Sequence, residues 1–335
     1  MNVDSYPHIS IIVPIHNAGI YLRECLETLV NQTMKKIEII CVLDAPTDGS
    51  DSVIKEFSEN DKRIKLLINK GNLNIAESRN RGLKIAKGEY VGFSDHDDCR
   101  KLDMYEKLYE KAKKENADIV TSDCCLILKN ERKIYKYNCP TKEGIISSII
   151  LPIWSGLNPN ILSKSVWASI YRNDFLSYNN INFPDKRIYN EEDTLFNLKA
   201  FINASKVVHL DEVFYYWILH ENSASLQLNT NSVTRQINLF NSIESLLIMN
   251  GILNEFRKDL GILVSTDVFM DVYQYVKLTK TDFLKLVRFN SYLNIKLIDR
   301  TLEKKISKKK LLKFFILKIR LALHRSREVL NFKNF

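Results

Sequence analysis

The chain has 335 residues, 45% of them hydrophobic, enough for one catalytic domain of roughly 200–250 residues plus an appendage. Its formal charge of +9 is confined to one end: from Glu303 to Phe335 eleven Lys and Arg stand against Glu303 and Glu328. The first 302 residues are therefore neutral on balance, which argues against nucleic-acid binding by the main domain. The opening MNVDSYPH lacks the regions of a signal peptide, and no run of about 18 apolar residues occurs, so neither secretion nor a spanning helix is expected. Six cysteines without C-x-x-C or zinc spacing read as buried thiols in a reducing cytoplasm.

In chain order, Ile9 to Val13 is a β-branched run that stops at Pro14, and Tyr21 to Leu29 has helical spacing through Leu22, Leu26 and Leu29. Ile37 to Leu43 reads as strand, Ser50 to Phe57 as helix, Ile64 to Ile68 as strand, Ile75 to Ala86 as helix and Tyr90 to Ser94 as strand. Strands alternating with helices imply right-handed βαβ units and a mostly parallel sheet, with ligands beyond the carboxyl ends of the strands. Met104 to Asn116 then reads as helix, and Ile119 to Leu128 and Lys133 to Tyr137 as two strands. The irregular stretch Pro140 to Lys164 suits a binding loop or lid, in which Trp154 could stack on a ligand ring or anchor in the core. Val207 to Leu210 and Val213 to Trp217 read as two short strands, and Val233 to Met249, Ile252 to Lys277 and Thr281 to Leu302 as helices. In the basic tail, Leu311, Leu312, Phe315, Ile316, Ile319 and Leu323 share one helical face, which suits an anionic membrane surface, the protein itself or a second subunit.

The run GEYVGFSDHDD, Gly88 to Asp98, concentrates the chemistry. Its apolar strand ends in Asp95, Asp97 and Asp98, and adjacent carboxylates repel unless a cation or solvent offsets them. Side chains alternate along extended backbone, so Asp95 and Asp97 face one way and His96 the other, a D-x-D arrangement. Magnesium or manganese suits such a pair, taking one or two protein carboxylates and leaving positions for water and substrate phosphate. Taken alone, three acidic residues are as readily a solvated turn. With no G-x-G-x-x-G and no G-x-x-x-x-G-K-[ST], dinucleotide redox and P-loop hydrolysis are disfavoured, and a metal-held diphosphate remains.

From Asn72 the chain reads NLNIAESRNRGLKIAKGEYVGFSDHDD, which resembles the family 2 glycosyltransferases of GT-A fold and their N-x-G-x-x-x-A-R-N-x-G-x-x-x-A-x-G-x-Y-x-x-F-x-D-x-D-D run. The resemblance covers roughly residues 8 to 225. It implies an α/β GT-A domain over 1–228, with a Rossmann-like, mostly parallel sheet flanked by helices. The nucleotide half would be about 1–100 and the acceptor half about 101–228, followed by a helical region at 229–302 and a basic amphipathic helix at 303–335. It implies an inverting transfer of sugar from a nucleotide-sugar, a UDP-sugar above all, to a glycan or lipid-linked acceptor in surface polysaccharide synthesis. The cofactor would be Mn2+ or Mg2+, and the location cytoplasmic or peripheral on the inner face of the membrane. A homo-oligomer is compatible with the sequence. A non-catalytic GT-A-like scaffold and a metal-dependent nucleotidyltransferase are the alternatives.

Residue by residue, Pro14, His16 and Asn17 resemble the family's P-x-Y-N opening, with His16 for the aromatic. Leu43 to Ser50 resembles D-D-G-S-x-D-G-S; with Leu43 and Ala45 departing from it, Asp44 is left as the residue to meet the base. Asp48 reads instead as a turn residue and cap. Arg79 corresponds to an Arg that contacts the nucleotide, or it pairs with Asp44 or Asp95. Asn74 stands at a family Gly position and would need a left-handed backbone, with Glu77 completing a capping box. Asp95, His96 and Asp97 would meet donor, and Asp95 and Asp97 the metal. Trp167, in SVWASIYRNDFL, resembles a family helix under the site and reads as structural. Asn190 to Phe196 resembles E-D-x-x-F, which makes Asp193 the catalytic base, preferred over Glu192 and Glu191, with Glu192 and Trp154 near the acceptor. Tyr215 to Ser225 resembles Y-R-x-H-x-x-S-x-S, with Ile218 for the Arg, so that His220 would approach the diphosphate or metal, or be a plain surface residue.

Overall fold

β-Branched residues dominate the first strands. β1 (Ile9–Ile15) and β2 (Ile37–Leu43) are buried at every position, as expected of parallel strands covered on both faces. The computed structural model describes residues 6–128, 131–135, 142–143, 165–189, 191–221, 223 and 232–263. Trp154, most of the Pro140 to Lys164 stretch and the tail from 303 lie outside these residues. Two compact units result, the first covering 1–150, 159–186 and 191–223, the second the remainder.

In the first unit β1 pairs in parallel with β2 and β4 (Tyr90–Phe93), and β2 with β3 (Ile64–Ile68). The crossovers are α1 (Tyr21–Val30), α2 (Ser50–Asn60) and α3 (Ile75–Ile85). Beyond β4 the sheet turns mixed. β9 (Ser169–Arg172) runs antiparallel between β4 and β6 (Ile119–Leu128), and β10 (Lys206–Leu219) pairs in parallel with β6 and antiparallel with β5 (Cys99–Arg100). The order is β3-β2-β1-β4-β9-β6-β10-β5, with β7 (Glu131–Tyr135) on β6 and β8 (Lys142–Glu143) on β10. The expected α/β sheet is present, wholly parallel in its first half and mixed in its second.

Several expectations change here. SIYR in SVWASIYRNDFL is strand β9, and helix α5 (Asn173–Tyr178) starts only after it. Pairing to strands on both sides outweighs the helical look of the segment. The two strands foreseen at 207–217 are one, β10, bent by register shifts between Leu210 and Tyr215. Asp98, expected at an exposed strand end, is 1% exposed.

One core joins α1, α2 and α4 (Met104–Glu115) to the sheet through Leu22, Leu26, Ile54, Tyr105 and Leu108. On α3, a Cβ at Gly82 would lie 2.5 Å from the Ile12 side chain, so glycine lets that helix approach β1 closely. Phe93, Tyr171, Phe183 and Phe196 form an aromatic group, with Phe183 stacked on Phe196 of α6 (Glu192–Asn203) at 4.1 Å. In the second unit α7 (Ser232–Met249) packs on α8 (Leu253–Leu263). Among the described residues no helix is long and apolar enough to cross a membrane, and Cys25, Cys41, Cys99, Cys124 and Cys125 are free, buried thiols.

Asn74 caps α3, its side chain accepting from the Ala76 and Glu77 amides at 3.0 and 3.3 Å. Its φ is positive, as expected, but with φ 76° and ψ 167° it lies outside the left-handed helical basin, in a region that belongs essentially to glycine. Such a residue stores about 1–3 kcal/mol. Asn74→Gly relieves this and forfeits only a few tenths in capping, so it is expected to raise stability by about 1 kcal/mol. Asn74→Ala keeps the strain and loses the cap, and is expected to lower stability by about 1 kcal/mol; urea unfolding of the two variants checks both signs.

Candidate active site

The carboxyl ends of β1, β2 and β4 meet at a set of polar loops. His16 draws two of them together: its Nδ1 donates to the Asp44 carbonyl at 2.6 Å, leaving Nε2 to accept from Asn72 Nδ2 at 3.2 Å. Asn17, at φ 50°, accepts from the Thr47 amide at 2.8 Å. The Asp44 carboxylate is 3% exposed and accepts from Asn69 Nδ2 and the Leu73 amide, both at 2.7 Å, and from the Asn74 amide at 2.9 Å. It therefore secures the strained turn into α3. Asp48 accepts from the Ser50 amide and hydroxyl and from the Gly19 amide, the last at 2.7 Å, the turn role expected of it, whereas the N-cap of α2 is Gly49. His96 points away from its neighbours and donates to the Pro14 carbonyl at 3.0 Å.

The centre is Arg79. Its side chain, 2% exposed, donates to Asp95 Oδ1 at 2.8 Å, to Glu192 Oε1 at 3.2 Å and to Asp193 Oδ1, while its guanidinium lies 5.1 Å from the Phe183 ring centre. Of the two partners considered from sequence, Asp95 is engaged and Asp44 is not; Glu192 and Asp193 were not foreseen. The structural reason is that α3 and the amino-terminal turn of α6 meet in space, although Arg79 and Glu192 are 113 residues apart in sequence. Lys186, partly exposed, stands 3.8 Å from Glu192 Oε2.

Burial pushes the Asp193 carboxyl up to about 7; Arg79 opposes the shift and the negative charges of Glu192 and Asp95 reinforce it. The same carboxylates raise the Arg79 pKa further, against the effect of its burial. Asp193 keeps 18% side-chain exposure, so the group is open to an arriving molecule.

Asp97 accepts from His220 Nε2 at 2.9 Å, and the His220 ring stacks on Tyr21 at 4.3 Å. Asp98 is engaged on both oxygens, by the Tyr215 hydroxyl and the Ile218 amide, each at 2.8 Å. Burial, followed by the charges of Asp97 and Asp95, drives its carboxyl well above the usual range. Neither the burial of Asp98 nor the part taken by Tyr215 leaves a mark in the sequence, because both depend on the path of β10.

Asp95, Glu192 and Asp193 thus gather around Arg79, with Lys186 beside Glu192, while Asp97 and Asp98 follow Asp95 in the chain and add their charge to it. Among the described residues, Asp95 Oδ2 and Asp97 Oδ1 accept no hydrogen bond, and no three His, Cys, Asp or Glu side chains form a ready-made metal centre. Excess negative charge with two open, partly exposed oxygens fits a hard divalent cation of the kind that takes one or two protein carboxylates and fills its other positions from water and phosphate.

Residues 10–171 match the family model described as Glycosyl transferase family 2. The uncharacterized glycosyltransferase EpsJ of Bacillus subtilis is 34% identical over 223 residues, which are 66% of this chain and 63% of that relative, less than two thirds of its length. The cholesterol galactosyltransferase of Borreliella burgdorferi is 30% identical over 74% of this chain and 69% of its own. Among solved structures, S. aureus TarS 1–349 in complex with UDP-GlcNAc superposes with a TM-score of 0.72, covering 93% of this chain and 88% of that one at 20% identity, a likeness of fold.

Replacing Arg79 by the shorter, neutral Met leaves Asp95 and Asp193 crowded without their guanidinium and Glu192 with Lys186 alone, at 3.8 Å. Arg79→Met is expected to cost about 3–5 kcal/mol in urea unfolding. Adding Asp193→Asn should recover about 0.5–3 kcal/mol of that loss as a coupling term, because the two residues are in direct contact. A cost near zero for Arg79→Met would show that the cluster is not held by this cation.

Proposed function

Since the chain belongs to glycosyl transferase family 2, we propose that it transfers a sugar, with inversion, from a UDP-sugar to a hydroxyl of a glycan or lipid-linked acceptor. The observation that carries this reading is the meeting of Asp95, the first aspartate of the D-x-D run, and Asp193 at one guanidinium, because the transfer needs groups for both ends of a single displacement. On the acceptor side, the incoming hydroxyl gives its proton to Asp193 as its oxygen bonds to the anomeric carbon. On the donor side, the bond from that carbon to the diphosphate oxygen breaks and the electron pair leaves with the diphosphate. A base of this kind is worth on the order of 10²–10⁴ in rate.

Asp95 and Asp97, through their open oxygens, are the residues that would hold a divalent cation. Such a cation, when bound, supplies positive charge to the leaving diphosphate. His220 steadies Asp97, and Arg79 orients Asp95 and Asp193 with respect to each other. His16, Asn17 and Asp44 shape the loops where the nucleotide would lie. Asp44 would meet the base with whatever capacity its three internal hydrogen bonds leave, so its larger part is to hold the turn at Asn74. Of the two relatives, EpsJ is named only as a glycosyltransferase and the other as a cholesterol galactosyltransferase, so a lipid hydroxyl has a named precedent among them and a carbohydrate hydroxyl rests on the family resemblance.

Release of nucleoside diphosphate from a panel of UDP-, GDP- and dTDP-sugars, with Mn2+, with Mg2+ and with EDTA, tests the reading. Turnover of one UDP-sugar, lost in EDTA and in Asp97→Asn, is the expected result; a folded protein that neither binds nor turns over any donor would overturn it. Asp193→Asn should lower kcat by about 10²–10⁴. Because the base must be ionised and its carboxyl is held up to about 7, kcat/KM should be lost as pH falls through about 7 and level off above it. A profile flat from pH 5 to 9, a range of about two units on either side, would argue against Asp193 as the base.

A further inference from the structure

On the glycosyl-transfer reading, we propose that Tyr215 is a positioning residue of the donor site. Its buried hydroxyl fixes the backbone at Asp95 and the side chain of Asp98 together, and so sets the spacing at which Asp95 and Asp97 receive a divalent cation and a diphosphate.

Tyr215 is fully buried on β10, opposite Arg100 of β5. Its ring has little freedom, being stacked on Trp167 at 4.3 Å with the Arg100 guanidinium 5.7 Å from its centre. The hydroxyl oxygen accepts the Asp95 amide at 3.1 Å, and its proton goes to Asp98 Oδ2 at 2.8 Å. With its donor engaged and a lone pair taken, the group serves as a strut and not as an acid or base. Three residues further along, the Ile218 amide takes the other Asp98 oxygen, and two beyond that His220 reaches Asp97. The end of β10 therefore holds Asp95, Asp97 and Asp98 at once.

Asp98 is accordingly the anchor of the loop, and it differs in kind from the two aspartates beside it. Both its oxygens are engaged inside the protein, whereas Asp95 and Asp97 each keep one oxygen open. The strut is what allows three neighbouring carboxylates to be held in two different roles. Without the hydroxyl, the Asp95 amide and Asp98 Oδ2 lose a buried partner and the loop between them relaxes, which disturbs the two open oxygens first. Residues that orient metal-binding carboxylates in this way typically contribute 10–100-fold to metal affinity.

Tyr215→Phe removes the hydroxyl alone. The readout is Mn2+ binding in the presence of UDP, followed by electron paramagnetic resonance of the free ion, which needs no turnover. The dissociation constant is expected to rise about 10–100-fold, with KM for the acceptor little changed. Tyr90→Phe is the control, since that hydroxyl is equally buried but donates to the Ala117 carbonyl at 2.9 Å, away from the loop; it should lose stability and keep its Mn2+ affinity. Should Tyr215→Phe not fold, Asp98→Asn reads the same contact from its other side and should weaken Mn2+ likewise. Wild-type Mn2+ affinity in a folded Tyr215→Phe or Asp98→Asn protein, or an equal loss in Tyr90→Phe, overturns the strut while leaving the transfer reading intact. A wild-type protein that binds no Mn2+ with UDP overturns the transfer reading and this proposal together.

Discussion

The Arg79 guanidinium, with 2% side-chain exposure, is buried among three carboxylates, and those carboxylates are tolerable together because it is there. Arg79 and its three partners are thus conditions of one another. They come from the first turns of α3, the end of β4 and the start of α6, so the ion cluster also fixes where these elements meet. Aromatic side chains complete the arrangement from below: Phe183 lies under the guanidinium, and Phe93 and Phe196 pack against Phe183. An apolar floor of this kind keeps water from competing for the charges and strengthens each ion pair.

The change from parallel to mixed sheet after β4 is what makes the cluster a site with two sides. A fully parallel sheet would have carried the chain on past the aspartates. Here β9 runs the other way between β4 and β6, and β10 returns beside β6 and reaches the D-x-D loop with Tyr215, Ile218 and His220. The loops after β1 and β2 hold together by a separate set of contacts. Asp44 and His16 tie the ends of β1 and β2 to the turn at Asn72 to Asn74, and that turn starts the helix that carries Arg79. The strained backbone of Asn74 is therefore supported on one side by Asp44 and on the other by the helix it caps.

Charge explains why the assembly is poised for a ligand. With carboxylates outnumbering cations, the cluster is short of positive charge, and burial moves the imbalance onto Asp193 and Asp98 as raised pKa values. The two groups are held differently. Asp98 has both oxygens bonded within the protein, while the Asp193 side chain, though bonded to Arg79, keeps 18% exposure. One carboxyl is closed off inside the protein and the other is partly exposed, a difference of environment and not of residue type.

Much of this was legible in the sequence. Strand and helix periodicity located β1 to β4 and α1 to α4, because local hydrophobic pattern decides elements whose faces are plainly buried. The run ending in SDHDD marked the acidic strand end, and the E-D-x-x-F likeness marked Asp193. Strand β9, the union of two short segments into β10 and the pairing of β5 could not be read locally, since each depends on neighbours far away in the chain. The same holds for the contacts of Arg79 with Glu192 and Asp193, over more than a hundred residues, and for the burial of Asp98. The sequence by itself determined which residue types would stand at the strand ends, because that follows from periodicity and spacing. Only the tertiary structure decided which carboxylates share Arg79, which are spent on Tyr215 and Ile218, and which keep an oxygen open, because electrostatic partners are chosen by distance in space and by burial, neither of which a local pattern encodes.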